Sequence, residues 1–116
     1  MQRPWLGTVL LLGLSACGSY PVPVDALAAA QASTRAAQEV GASGNPRAAL
    51  HLKLAQEQFD QAKRLMAEGD NQRAEALLHR AQADAELSLA LAREAAMNAK
   101  AKQVLEELTA AKKGSQ

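Results

Sequence analysis

The feature that most limits the fold is a stripe. Between residues 46 and 68, Ala48, Leu52, Ala55, Phe59, Ala62 and Met66 recur at alternating steps of four and three. That spacing places them on one side of an α-helix and nowhere useful on a strand. A second stripe follows through Ala74, Leu78, Ala81, Ala85, Ala92, Ala95 and Ala99, interrupted at Ser88. The faces opposite carry Lys53, Glu57, Lys63, Arg64, Arg80, Asp84, Arg93 and Lys100. About a quarter of the chain is alanine, and Glu, Gln, Lys, Arg and Leu supply much of the rest, all strong helix formers. Isoleucine is absent and valine is scarce, so strands have little support. The expectation is an all-α fold.

Punctuation divides the helices. The segment Gly18–Val24 contains Pro21 and Pro23 and reads as an extended tether over residues 17–24. A first helix is expected from Asp25, as N-cap, to about Val40. Gly41 to Pro46 is a break in which Gly41 suits a left-handed C-cap, Asn45 an N-cap and Pro46 the first helical position. A second helix is expected to about Glu68. Gly69-Asp70 breaks it, and a third helix runs from Asn71 to about Lys112. Lys112 and Lys113 complement its negative end before Gly114, with residues 114–116 as a loose tail. Short breaks between one-sided helices make antiparallel neighbours. The expected architecture for residues 25–113 is therefore an antiparallel hairpin or three-helix bundle with coiled-coil-like alanine seams and a long C-terminal helix. Folded back at Gly69, the second helix covers the third only to about Arg93. Val104, Leu105 and Leu108 are then left over, and they are the candidate surface for self-association or a partner helix.

The first sixteen residues read as an export signal. Arg3 precedes a short apolar run from Leu6 to Leu14, too short for the ~20 residues of a membrane span and suited to a signal-peptide core. Leu14-Ser15-Ala16-Cys17 resembles the bacterial lipobox. The resemblance implies cleavage before Cys17 and lipidation of its thiol, which also explains a lone cysteine in an exported chain. Two or three acyl chains anchor stably where one does not. Gly18-Ser19 follows, with no aspartate, which implies by the same resemblance the periplasmic face of the outer membrane.

Two longer stretches are similar to a known family. They are Leu52-Lys53-Leu54-Ala55-Gln56-Glu57-Gln58-Phe59-Asp60-Gln61-Ala62 and, beyond Glu68-Gly69-Asp70, Ala81-Gln82-Ala83-Asp84-Ala85-Glu86-Leu87-Ser88-Leu89-Ala90. The chain resembles the alanine-rich bacterial lipoprotein domain of unknown function, which occurs alone or ahead of an OmpA-like peptidoglycan-binding domain. The resemblance implies a lipid-anchored periplasmic helical domain without catalysis. The Gly69-Asp70 turn also resembles a single tetratricopeptide repeat, and the terminal lysines resemble those that join short envelope lipoproteins to peptidoglycan.

Chemistry is sparse. The net charge of +1 offers no basic field for nucleic acid. Trp5, Tyr20 and Phe59 are the aromatic residues, too few for a stacking surface. His51 and His79 fall at different levels of the hairpin, with His79 near Asp60 and His51 toward Ser88, so they do not form a metal pair. Glu106-Glu107 are helix neighbours that point apart. No catalytic residue, metal, cofactor or small-molecule substrate is expected. The function expected is a structural spacer or protein-interaction adaptor in the cell envelope.

Overall fold

The computed structural model describes residues 19–115. It contains three α-helices and no strand among the described residues. Helix α1 spans Val24–Glu39, α2 spans Pro46–Ala67 and α3 spans Asn71–Gly114; a 3-10 turn, Ala42–Gly44, lies between the first two. Consecutive helices run antiparallel, and α3, at 44 residues, is twice the length of α2.

The breaks form as local chemistry dictates. Gly41 sits at φ 77° beyond the end of α1, and its N–H donates to the Gln38 carbonyl. The Asn45 side-chain oxygen accepts from the N–H groups of Arg47 and Ala48, each at 3.0 Å, with Pro46 at the first helical position. At the second break the Gly69 N–H donates to Met66 and the Asp70 N–H to Leu65. That paired return is a Schellman motif, and it requires the left-handed backbone that Gly69 adopts at φ 82°. Asp70 then caps α3 through the Arg73 N–H at 3.3 Å and holds the Arg73 guanidinium at 3.0 Å.

Both outer termini differ from expectation by a residue or two. Helix α1 starts at Val24, Pro23 occupies its N-cap position, and no side chain caps it. Asp25 instead sits in the first turn, where its charge still meets the positive end of the helix. Helix α3 continues through Gly114 to a C-cap at Ser115, because one glycine with ordinary φ costs only ~1 kcal/mol in a helix and forces no stop.

The core is two alanine-rich clusters. One, near the α2–α3 turn, joins Ala26 and Ala30 of α1, Ala62 and Leu65 of α2, and Ala74, Leu78 and Ala81 of α3. Phe59 and Met66 pack against it half-buried, while Leu65 takes the deeper position. The other joins Ala37, Ala42, Ala48, Leu52, Leu91 and Ala92. Between them Ser88 is fully buried, and its hydroxyl donates to the Ala48 carbonyl at 2.7 Å. Ser88 therefore continues the seam: it is as small as alanine, and its one polar group finds a partner on α2.

Candidate functional site

The covering of α3 ends abruptly. Its buried residues are Ala74, Leu78, Ala81, Ala85, Ser88, Leu91 and Ala92; Ala95 is half-buried, and everything from Ala96 to Ser115 is exposed. The point agrees with the expected limit near Arg93, because α2 begins at Pro46 and cannot reach further. Beyond it α3 projects by roughly 27 Å, counted from Met97 at 1.5 Å per residue.

That projection carries the predicted surface. Val104 is 45% exposed, Leu105 62% and Leu108 59%, with Met97 at 65% about two turns nearer the bundle. These residues lie together on one side. At about 100° per residue, Met97, Ala101, Val104, Leu105 and Leu108 fall on the face roughly opposite the buried row. The buried row itself runs outward into Ala99, Lys102, Glu106 and Thr109, which is mostly polar. The apolar stripe of α3 thus changes sides where the bundle ends. The new side begins inside the covered region, at exposed Leu87 and Ala90.

The opposite end of the molecule holds a clasp. The Asn71 side chain donates to the Tyr20 carbonyl at 2.9 Å, and the Tyr20 hydroxyl donates to the Glu75 carboxylate. Pro23 is buried, and its carbonyl accepts from Leu27 at 3.0 Å. The hydrogen bond to Glu75, a little desolvation and the nearby carboxylate charge raise the Tyr20 pKa above its ordinary value. The stretch read as an extended tether is thus fastened to the first turns of α3 from Tyr20 onward. Cys17 lies outside the described residues.

Polar pairs between the helices are few. Asp84 of α3 is held by two α2 side chains seven residues apart, His51 Nδ1 at 2.9 Å and Gln58 Nε2 at 2.8 Å. His51 faces Asp84, one turn short of the Ser88 level expected for it, and His79 is exposed. Among the described residues no three His, Cys, Asp or Glu side chains are grouped to hold a metal ion. A groove between α1 and α2 is lined by Gln31, Thr34, Arg35, Gln56 and Asp60 beside Phe59. Among the described residues no helix is long and apolar enough to cross a membrane.

Three of these arrangements escape a one-helix reading of the sequence. The Asp84 clamp and the Ser88 bond depend on the register between α2 and α3. The Tyr20 clasp joins residues 51 and 55 positions apart. The change of sides was present in the spacing, since Met97, Ala101, Val104 and Leu108 keep a four-three-four rhythm of their own.

Fold and surface together define an all-helical bundle with one overhanging helix and an apolar stripe on its outer face. A family model matches residues 25–104, and the chain belongs to that family, described as a domain of unknown function, DUF4398. No curated protein and no solved structure matches the chain.

Proposed function

We propose that the protein is a non-enzymatic, lipid-anchored spacer or interaction adaptor at the periplasmic face of the outer membrane. It would belong to the alanine-rich lipoprotein members of its family, tethered through Cys17 and docking a partner through Val104, Leu105 and Leu108. One observation carries this reading: the two ends of α3 do different things. Its start fastens Tyr20, three residues from Cys17 and so within a reach of ~11 Å. Its far end, roughly 66 Å away at 1.5 Å per residue, presents uncovered apolar side chains. An anchor at one end and a sticky surface at the other suit a protein that holds something at a distance from a bilayer.

A tetratricopeptide-like adaptor would dock its ligand between α1 and α2. The groove there is lined mainly by amides and charged groups, which favours the distal surface of α3 instead. Two experiments test the proposal. Labelled palmitate should enter the wild-type chain and not the Cys17→Ser variant. A photo-reactive residue at Val104 or Leu108 in intact cells should give a discrete cross-linked product, whereas one at exposed Gln72 should not. Absence of label defeats the anchor; equal cross-linking at both positions defeats the docking surface. Release of the protein by muramidase in a muropeptide-linked form would instead support attachment to peptidoglycan through the terminal lysines.

A further inference from the structure

We infer that the partner of the α3 overhang is a second copy of this chain, packed antiparallel along the outer face. The inference deepens the adaptor reading and rests on its claim that this surface docks a helix. The stripe has the repeat that such a pairing needs. Ala101 and Leu108 occupy successive a positions, and Met97, Val104 and Ala111 occupy d positions.

The seam charge at Glu94 selects the direction, because flanking ion pairs form either way: Lys100 with the partner's Glu107 when antiparallel, Glu107 with the partner's Lys112 when parallel. With the copies antiparallel, Met97 stands opposite the partner's Leu108, and Ala101 opposite the partner's Val104. In that register Lys100 flanks the seam beside the partner's Glu107, and the symmetry of the dimer makes the pair twice. Glu94, the one charged residue at a seam position, meets the partner's Ala111 with the partner's Lys112 alongside. In a parallel pair Glu94 would face its own copy in the seam, which is destabilising. Opposed helix dipoles also favour the antiparallel arrangement.

The shape permits it. Helices α1 and α2 cover the other side of α3, so the outer face is bare from Leu87 onward and the two bundles stay apart. The overlap runs from Ala90 to Ser115, roughly 39 Å at 1.5 Å per residue. The alanines at 90, 101 and 111 let the axes approach toward the ~8 Å end of the usual range. The product is a two-fold dimer with the Tyr20 clasps at its outer ends, roughly 95 Å apart at 1.5 Å per residue, so a dimer anchored in one bilayer lies along it and serves as an adaptor rather than as a spacer.

Disulfide trapping tests copy and direction together. Met97→Cys and Leu108→Cys are made separately in the full chain carrying Cys17→Ser, held in mild detergent, then oxidised alone and as a mixture. The mixture should cross-link at least about tenfold faster than either variant alone, because like positions lie ~16 Å apart along the axis, beyond the ~7 Å limit for a disulfide. Leu108→Glu should abolish the dimer in sedimentation equilibrium while leaving the helical circular dichroism spectrum unchanged. Cross-linking of each variant with itself, faster than the mixture, overturns the antiparallel pairing. A monomer at high protein concentration overturns the second copy altogether, and the adaptor reading then stands or falls on the cellular cross-link at Val104.

Discussion

The inner and outer halves of α3 are built from similar residues and live in different surroundings. From Ala74 to Ala92 the helix is sheathed by α1 and α2; from Met97 to Gly114 it stands alone. Both halves mix alanine with occasional leucine and alternating charge. What differs is which side the larger residues occupy. In the inner half Leu78 and Leu91 point into the bundle. In the outer half Val104 and Leu108 point the other way. Taken over its full length α3 shows little amphipathicity, because the two stripes cancel. A helix unpatterned over its full length can therefore be two patterned helices joined end to end, one turned toward the bundle and one turned away from it.

The largest expected contrast comes from deleting one leucine on each half. Among the described residues Leu78 is the largest apolar side chain buried completely, with neighbours that are mostly alanine and cannot collapse far into a hole. Leu78→Ala should lower unfolding free energy by about 3 kcal/mol, within the usual ~2–5 kcal/mol range. Leu105→Ala, measured by the same urea titration at a concentration where the chain is monomeric, should stay within ~0.5 kcal/mol of wild type. Equal losses would mean that the outer half is packed against the bundle after all.

Adding volume gives a smaller contrast in the same direction. Ala81 has no exposed surface and sits in the cluster that joins all three helices. Ala81→Leu should cost ~1–3 kcal/mol through overpacking. Ala101→Leu, on the bare half and measured where the chain is monomeric, should stay within ~0.5 kcal/mol of wild type, since leucine nearly matches alanine in helix propensity.

These contrasts also mark how much the sequence could reveal. Helices, both breaks and the limit of coverage were legible, because Gly41, Asn45-Pro46 and Gly69-Asp70 act through their own backbone and need no distant partner. The Schellman turn at Gly69 is as local as the residues that form it. Ser88 was legible only as an interruption. Its acceptor, Ala48, is 40 residues away, and the seam continues through a polar residue only once the register is known. The fastening of Tyr20 was hidden for the same reason: two prolines signal an extended chain and are silent about what it lies against. The docking surface stood in between. Val104, Leu105 and Leu108 could be found by length alone, whereas the face they occupy emerges only against the buried row.

Ser88 offers the next test. Ser88→Ala removes one buried hydrogen bond without changing the size of the seam residue by much, and should cost about 1 kcal/mol. Ser88→Val removes the same hydrogen bond and also adds branched volume at a fully buried position, and should cost more. If Ser88→Ala proved stabilising, the hydroxyl would be a tolerated intruder and the seam would be fixed by packing alone.

The smallest effect lies at the other end of α3 and is read most cleanly by pH. Tyr20 is the only tyrosine, so tyrosinate absorbance reports one group. Its hydroxyl donates to Glu75, which favours the neutral phenol and raises the pKa above its ordinary value of about 10. Because the folded value is the higher one, the clasp's contribution is complete below about pH 10 and fades as pH rises through the folded pKa. The titration midpoint of the native chain should lie above that of the chain in urea, and Glu75→Gln should bring the two closer together by removing the nearby charge. Coincident midpoints in native and unfolded chains would mean that Tyr20 swings free of Glu75 in solution. The segment between Cys17 and α1 would then act as a flexible leash, and the distance from anchor to overhang would no longer be set by the length of α3.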